Sequence, residues 1–359
     1  MNVDTMRRID YWAGIPLCFL VSIGQRLIRW LRPRPDQRPK NVLFVELSEM
    51  GSAIIVDPAM RKMQREAQAN LHFVIFSSNA ASLRLLGTVP EENVFTLRAD
   101  GLLPLAMDTL RFLLWTRRRR IDTVIDLELF SRFTALLTGL SGAANRIGFH
   151  AFHNEGLYRG DMLTHRVAYN PHIHIAKNFV ALVDAALTTR DELPFSKRAV
   201  GDDEIVLTKA EVSEQAKEAM RARVREDYAD YDPARHRLVL INPNASDLLP
   251  QRRWMPEHFV ALMHNILATW PDVLILITGA PGEREQAEGL KNRVDDGRCI
   301  NFAGRVKFAE LPALYSIATL MVTNDSGPGH FSAVTDLRTF VIFGPETPRL
   351  YGSLGNSTP

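Results

Sequence analysis

The sequence predicts an α/β protein of two halves, each a doubly wound parallel sheet, and three observations predict it. Its 359 residues exceed what one core organises comfortably and suit two domains of about 150 residues. Apolar runs rich in Val, Ile and Leu alternate with helix-like stretches, the pattern of a parallel sheet with crossover helices. That alternation occurs twice, on either side of a polar, charge-rich interval near residues 188–236. No period of 20–50 residues repeats, and nothing is of low complexity. The expected boundaries are a segment and linker over 1–40, a first domain over 41–190 and a second over 191–359.

Composition narrows the class. A hydrophobic fraction of 46% and a charged fraction of 23% are those of an ordinary globular protein. Cys18 and Cys299 stand far apart in unlike contexts, which argues against a disulfide framework and fits a reducing, cytoplasmic compartment. Residues 1–40 carry eight basic and three acidic side chains, a balance of +5, so with an overall charge of +2 the rest stands near −3. A nucleic-acid-binding protein would carry its basic charge on the folded domain, so no nucleic-acid partner is expected.

Between Asp10 and Arg26 lie fifteen uncharged residues, YWAGIPLCFLVSIGQ. The run is short of the roughly 20 apolar residues of a bilayer span, and Pro16 and two glycines weaken it. Leu20, Ile23, Leu27, Trp30 and Leu31 form an apolar stripe beside Arg26, Arg29 and Arg32. That combination reads as a helix lying in an anionic membrane interface over residues 11–34. A signal peptide is opposed by Arg-Pro-Arg-Pro where a small-residue cleavage site belongs. Packing on the body of the protein is the other alternative. RPRPDQRPK then reads as a stiff, exposed linker.

In the first half NVLFVEL is a buried strand, SEMGS a turn and DPAMRKMQREAQ a helix. LHFVIFSS follows as strand, ASLRLLG as helix, NVFTLR as strand, MDTLRFLLWTRRRR as helix and IDTVIDLEL as strand. In the second half HRLVLINPN, DVLILITGA, CINFAG, LMVTND and TFVIFGP read as strands. MPEHFVALMHNILATW, GEREQAEGLKNRV and ELPALYSIA read as helices between them. Two such halves put a cleft between the carboxyl ends of two sheets, where α/β folds bind ligands.

Thr323-Asn324-Asp325-Ser326-Gly327-Pro328-Gly329-His330 ends a strand in small residues and opens a helix at about His330. Unpaired N–H groups and the helix dipole there favour an anion, and glycines let a phosphate come close. The plain alternative is a strand-to-helix turn capped by Asp or Ser. A dinucleotide fingerprint is absent because the third glycine is missing.

Here the chain resembles the heptosyltransferase family, glycosyltransferase family 9. DSGPGHFSA followed by TFVIFGPETP is similar to that family's D-[ST]-G-x-x-H-[LF]-x-A and FGPT-x-P signature. The resemblance implies that Asp325, Ser326 and Gly327 hold a donor diphosphate with His330 beside it. Arg252-Arg253-Trp254-Met255-Pro256-Glu257-His258-Phe259 resembles K-x-W-P-x-E-x-F, with Arg252 in place of the phosphate-binding lysine and the proline one residue late. Gly279-Ala280-Pro281-Gly282-Glu283 resembles G-A-x-x-E, whose glutamate contacts the nucleoside. Phe302-Ala303-Gly304 with Glu310-Leu311 resembles L-x-G…E-L. The match covers about residues 41–350 and is stronger in the second half. It implies a GT-B fold, two Rossmann-like domains facing across a cleft.

The first half departs from the family at one position. Where the family has S-x-x-G-D-x-x-x-x-x-P, this chain has Ser48-Glu49-Met50-Gly51-Ser52 through Pro58, so Ser52 occupies the place of the catalytic aspartate. A serine hydroxyl is a poor base near neutrality, and Glu49 stands three residues earlier in the same turn. Either Glu49 takes the role, or the acceptor is activated otherwise, or the protein does not catalyse. Arg146-Ile147-Gly148-Phe149 resembles the family's R-I-G-[FY] loop on the acceptor side, as does Gly51.

Other clusters carry less. His150 with His153, or His172 with His174, lacks cysteines and any H-E-x-x-H, so no metal is expected. Arg117-Arg118-Arg119-Arg120 closes a helix, where cations suit the dipole, and would also attract an acidic lipid acceptor. GT-B chains usually finish with a helix that crosses back to the first domain. This sequence stops in YGSLGNSTP, which is either a shortened form or the absence of that helix.

The expected reaction moves a sugar, possibly heptose within the family, from a nucleotide-diphospho donor to a cell-envelope glycolipid such as lipopolysaccharide core. It proceeds with inversion and needs no metal or other cofactor, at the inner face of the bacterial inner membrane. The alternatives are a non-catalytic nucleotide-sugar-binding protein of the same fold and a nicotinamide-dependent dehydrogenase. The latter is disfavoured because neither half has a full glycine fingerprint with a ribose-binding acid.

Overall fold

The computed structural model describes residues 3–31, 38–150, 157–188, 199–245, 249–355 and 357–358. Most of the linker and His153 lie outside these, as does the expected 190/191 boundary. The chain divides into two compact units, Met1–Ile205 and Val206–Pro359. Residues just before the division belong to the first unit because the buried Lys62 holds Glu204 at 3.2 Å and also pairs with Asp184.

The first unit opens with helices α1 (Val3–Trp12) and α2 (Gly14–Leu31). Its body runs β1 (Asn41–Val45), α3 (Met50–Ile55), α4 (Asp57–Ala67), β2 (Asn70–Phe76), β3 (Val94–Leu97), α5 (Leu102–Arg118) and β4 (Thr123–Asp126). It continues through α6 (Arg132–Leu140), β5 (Asn145–Phe149), β6 (His165–Val167) and α7 (Ile175–Leu187). The six strands pair in parallel in the order β3-β2-β1-β4-β5-β6, the order of the Rossmann fold. β1 and β4 are central and buried along nearly their whole length, which is why their sequences read as unbroken apolar runs.

The second unit repeats the plan. After α8 (Glu214–Asp227) come β7 (Arg237–Asn242), α9 (Pro256–Thr269), β8 (Val273–Ile277), α10 (Arg284–Val294) and β9 (Cys299–Asn301). Then follow α11 (Leu311–Ile317), β10 (Leu320–Asn324), α12 (Gly327–Ser332), β11 (Arg338–Ile342), α13 (Pro348–Tyr351) and β12 (Ser357–Thr358). Its parallel sheet runs β12-β11-β10-β7-β8-β9, the same order counted from β7. Ile241, Ile275 and Ile277 meet Phe259 and Met263 in a core fully removed from water.

Several local expectations need correction. ASLRLLG forms a 3-10 turn over Ala80–Leu85 rather than a helix. The Arg146–Phe149 stretch is not a loop but most of β5, buried throughout. α12 opens at Gly327, three residues before His330, because Pro328 fits a first turn where its missing N–H costs nothing. The charge-rich interval contains α8, which buries only Met220 and Val224 and so shows almost no apolar period. α7 is buried on nearly all sides, and its uniform apolar sequence hides its helical period as well.

At the amino terminus α2 turns its small and polar side inward. Gly14, Cys18 and Ser22 are buried against α6. A Cβ on Gly14 would come 2.9 Å from the Arg132 side chain. Ser22 Oγ accepts from the Asp161 N–H at 2.7 Å, and Gln25 Nε2 donates to the Gly139 carbonyl at 2.6 Å. From α1, Asp10 accepts from the N–H groups of Arg132 and Phe133 at 2.9 and 3.0 Å, capping α6, and pairs with the Arg132 guanidinium. The apolar stripe faces outward, with Leu20 62% and Trp30 80% exposed. Arg26 and Arg29 do not flank that stripe freely, since both engage Asp161.

Candidate functional site

Each sheet reverses its strand order once, between β1 and β4 in the first unit and between β7 and β10 in the second. Open α/β sheets bind ligands outside the carboxyl ends of the strands at this point. The site residues expected from the sequence gather at these two places, Arg146 and Glu283 apart.

In the second unit the fully buried Asn324 ends β10 and ties two loops together. Its Nδ2 donates to the Pro243 carbonyl at 2.8 Å, and its Oδ1 accepts from the Trp254 N–H at 3.0 Å. That fixes the segment before Trp254 beside the Asp325 turn. Arg253 is spent on the Ala245 carbonyl, at 2.6 and 3.1 Å. Arg252 instead reaches Asp325, Nε to Oδ2 3.4 Å, and Glu346, Nη2 to Oε1 3.8 Å. The first contact is an ion pair without hydrogen-bond geometry, and among the described residues Arg252 Nε has no hydrogen-bond acceptor. Gly344 is what brings the FGP turn this close, because a Cβ there would stand 2.6 Å from the Gln251 carbonyl.

Ser326 caps the turn, its hydroxyl donating to the Asn324 carbonyl at 3.1 Å, and Gly327 begins α12. His330 is half-buried, with Nδ1 3.5 Å from Ser353 Oγ. Glu283 closes the loop after β8. Its Oε2 accepts from the Ala280 N–H at 2.6 Å and from Asn244 Nδ2 at 3.0 Å, while Asn242 braces Thr278. Glu310 of the E-L motif is structural. It takes both ends of the Arg223 guanidinium and the Lys307 N–H, and the Arg223 contact holds its carboxyl down at about 2.

In the first unit Ser52 Oγ donates to Glu49 Oε2 at 3.1 Å. Ser52 is buried in the first turns of α3, with Gly51 before it, whereas Glu49 is exposed at the helix start. Behind them lies a group that the sequence reading did not single out. Glu128 Oε1 accepts from the Leu47 N–H at 3.2 Å and from Ser48 Oγ at 3.0 Å. Arg159 pairs with the buried Asp126 and donates to the carbonyls of Glu128 and Ser131 at 2.6 and 2.9 Å. Burial pushes the Asp126 carboxyl up to about 6 against the opposing Arg159 charge. Burial also pushes the Glu46 carboxyl well above its usual range, and repulsion from Glu128 and Glu49 adds to this. The available signal was Glu46 and Asp126 themselves, each an acid in an otherwise apolar strand.

Arg146 is buried in β5, its guanidinium donating to the carbonyls of Met162 and Ala143, both at 2.6 Å. His174 Nδ1 accepts from the Ala176 N–H as the cap of α7. Among the described residues no group of three or more His, Cys, Asp or Glu could hold a metal ion.

The sequence profile of glycosyltransferase family 9 (heptosyltransferase) matches residues 112–358. The chain belongs to glycosyltransferase family 9. The match takes in the whole second unit except its last residue, and begins after the loop that carries Glu49 and Ser52. A curated relative, lipooligosaccharide heptosyltransferase 2 of Haemophilus influenzae, is 29% identical over 102 residues. That stretch covers 28% of this chain and 29% of the relative, so less than a third of the relative is matched. Among solved structures, the E. coli ADP-heptose lps heptosyltransferase II superposes with a TM-score of 0.69 at 18% identity, over 89% of each chain. A family 9 glycosyl transferase from Veillonella parvula gives 0.67 at 16% identity, over 90% of this chain and 86% of that one. E. coli heptosyltransferase WaaC with ADP gives 0.63 at 17% identity, over 89% and 92%. At these identities the likeness establishes the GT-B fold of this family 9 chain.

Proposed function

We propose that the chain transfers a sugar from a nucleotide-diphospho donor to a hydroxyl of a cell-envelope glycolipid, with inversion and without a metal ion. The observation that carries this reading is Arg252. Among the described residues its Nε has no hydrogen-bond acceptor, and the side chain, 27% exposed, stands beside Asp325 and the Ser326–Gly327 turn at the switch point of the second sheet. The exposed part of the guanidinium can take a phosphate oxygen and meets the charge that grows on the departing diphosphate. Asp325 and Glu346 aim Arg252 rather than touch the phosphates, since like charges repel. Glu283 and the loop it closes take the nucleoside, with His330 beyond the turn.

Single displacement also needs a base on the acceptor hydroxyl. Glu49 is exposed, and the Ser52 hydroxyl orients its carboxylate, so the serine in the aspartate's place steers a glutamate three residues earlier. Gly51 stands beside Ser52 at the start of α3, and Arg146 ties the Ala143 and Met162 carbonyls to β5. Residues 11–34 seat the protein on an anionic membrane at the inner face of the bacterial inner membrane. The outward apolar face of α2, a helix long and apolar enough to cross a membrane by length and composition, supports that seating. A non-catalytic sugar-nucleotide-binding protein is the second reading, favoured by Ser52 itself.

The test is a panel of nucleotide sugars, ADP-heptose among them, with lipid-linked acceptors, scored by nucleotide diphosphate release with and without EDTA. One donor should be consumed in both conditions and yield the inverted anomer. Glu49→Gln should lower turnover by about 10²–10⁴-fold while donor affinity stays near wild type. Wild-type turnover in that variant removes Glu49 from catalysis. Tight nucleotide diphosphate binding with no release from any donor makes the non-catalytic reading the correct one.

A further inference from the structure

The outward face of α5 is apolar where a surface helix is normally polar. Leu103, Leu110 and Leu114 are 72%, 65% and 57% exposed, and Met107 lies among them. The 4-3-4 spacing puts all four on one stripe about 16 Å long. The opposite face of the same helix buries Asp108, Phe112 and Thr116. The stripe runs into Arg117–Arg120. Among the described residues none of these four arginines pairs with a carboxylate; Arg117 and Arg119 donate to backbone carbonyls.

α5 and α2 both reach the end of α6. At the end of α6, the Gly139 carbonyl accepts from Gln25 of α2, while those of Leu140 and Ser141 accept from Arg117 and Thr116 of α5. We propose that α5 is a second membrane-seating element, laying Leu103, Met107, Leu110 and Leu114 into an anionic bilayer with the arginine run at its phosphates. The proposal extends the membrane reading of α2 but stands on separate residues.

A bilayer fits better than a second copy of this chain. An isologous α5–α5 contact would bury the stripe yet offer the arginines no carboxylate, since Asp108 is already held by Arg98 and Arg111. Acyl chains under a phosphate layer supply both needs at once. On α2, by contrast, Arg26 and Arg29 both engage Asp161.

Two single-cysteine labels separate the proposals. Cys18 and Cys299 are buried, and burial pushes their thiols up to about 11 and about 12, so an environment-sensitive dye enters at Leu110→Cys or Leu20→Cys alone. Each full-length variant is mixed with phosphatidylcholine vesicles, with or without phosphatidylglycerol. With anionic vesicles the dye at 110 should shift to the blue, and about 0.5 M salt should remove most of that shift. Leu103→Gln/Leu110→Gln should lower co-sedimentation with those vesicles by about tenfold. A shift at 20 without one at 110 overturns the α5 proposal and leaves α2. A shift at 110 alone does the reverse, and no shift at either removes both. A vesicle-free, concentration-dependent shift at 110 makes the occupant a second copy and overturns the proposal.

Discussion

Arg252 and Arg253 are adjacent in sequence and opposite in use. Arg253 satisfies a loop carbonyl, while Arg252 is held near two carboxylates at 3.4 and 3.8 Å and its Nε has no hydrogen-bond acceptor among the described residues. Arg252→Ala should therefore weaken nucleotide diphosphate binding by roughly 10–150-fold, the equivalent of about 1.5–3 kcal/mol. Calorimetric titration with ADP and UDP measures this, and unchanged affinity for both would take Arg252 out of the site. The acids behind Glu49 make a different prediction. Asp126 and Glu46 keep their protons to higher pH folded than unfolded, so they favour folding most in acid and lose that effect as pH rises. For Asp126 the loss runs from about pH 4 to about pH 6 and amounts to about 3 kcal/mol. Glu310, held near 2 by Arg223, acts in the opposite sense but in a more acidic window. Glu46→Gln should raise Tm above neutrality and leave it nearly unchanged at about pH 4. A Tm difference that is equal at both pH values would show that Glu46 is ionised in the fold.

At the scale of elements, the amino-terminal helices show where pattern reasoning stops. The sequence reads the apolar stripe of α2, from Leu20 to Leu31, as lying in a membrane interface and leaves packing on the body as the alternative, and the structure turns that stripe outward. The inward side, which no apolar pattern marks, is made by Gly14, Cys18 and Ser22. The reason is close approach. Small residues let α2 lie against α6, and Gly160, with φ of +80°, brings the 157–162 backbone over it. A Cβ at Gly160 would stand 2.6 Å from Ser22 Oγ and 2.9 Å from the Cys18 carbonyl. Gly160→Ala should cost about 1–3 kcal/mol. It should also speed tryptic cleavage at Arg26 and Arg29 while leaving nucleotide affinity intact. Cleavage at the wild-type rate would mean that α2 is held by Asp10 and Gln25 alone.

At the scale of the molecule, two sheets with one strand order each carry their own core and their own switch point. If the donor binds only the second unit, a nucleotide diphosphate at 100 times its Kd should stabilise that unit by about 2.7 kcal/mol. Hydrogen exchange with and without ADP should then show protection concentrated in the β7, β10 and α12 segments. Protection confined to β1 and α3 would move the donor to the first unit. By itself the sequence determined the α/β class, the two halves and the family 9 motifs of the second half. Buried parallel strands must be apolar throughout, and a tight strand-to-helix turn such as Asp325–Gly327 must be small, so both leave local marks. Only the tertiary structure decided that Asn324 locks the Arg252 segment beside Asp325, that Ser52 donates to Glu49, and that Glu46, Asp126 and Glu128 converge behind them. Those contacts join residues 70 or more positions apart as well as near neighbours, and no local pattern encodes which distant strand end a side chain will meet.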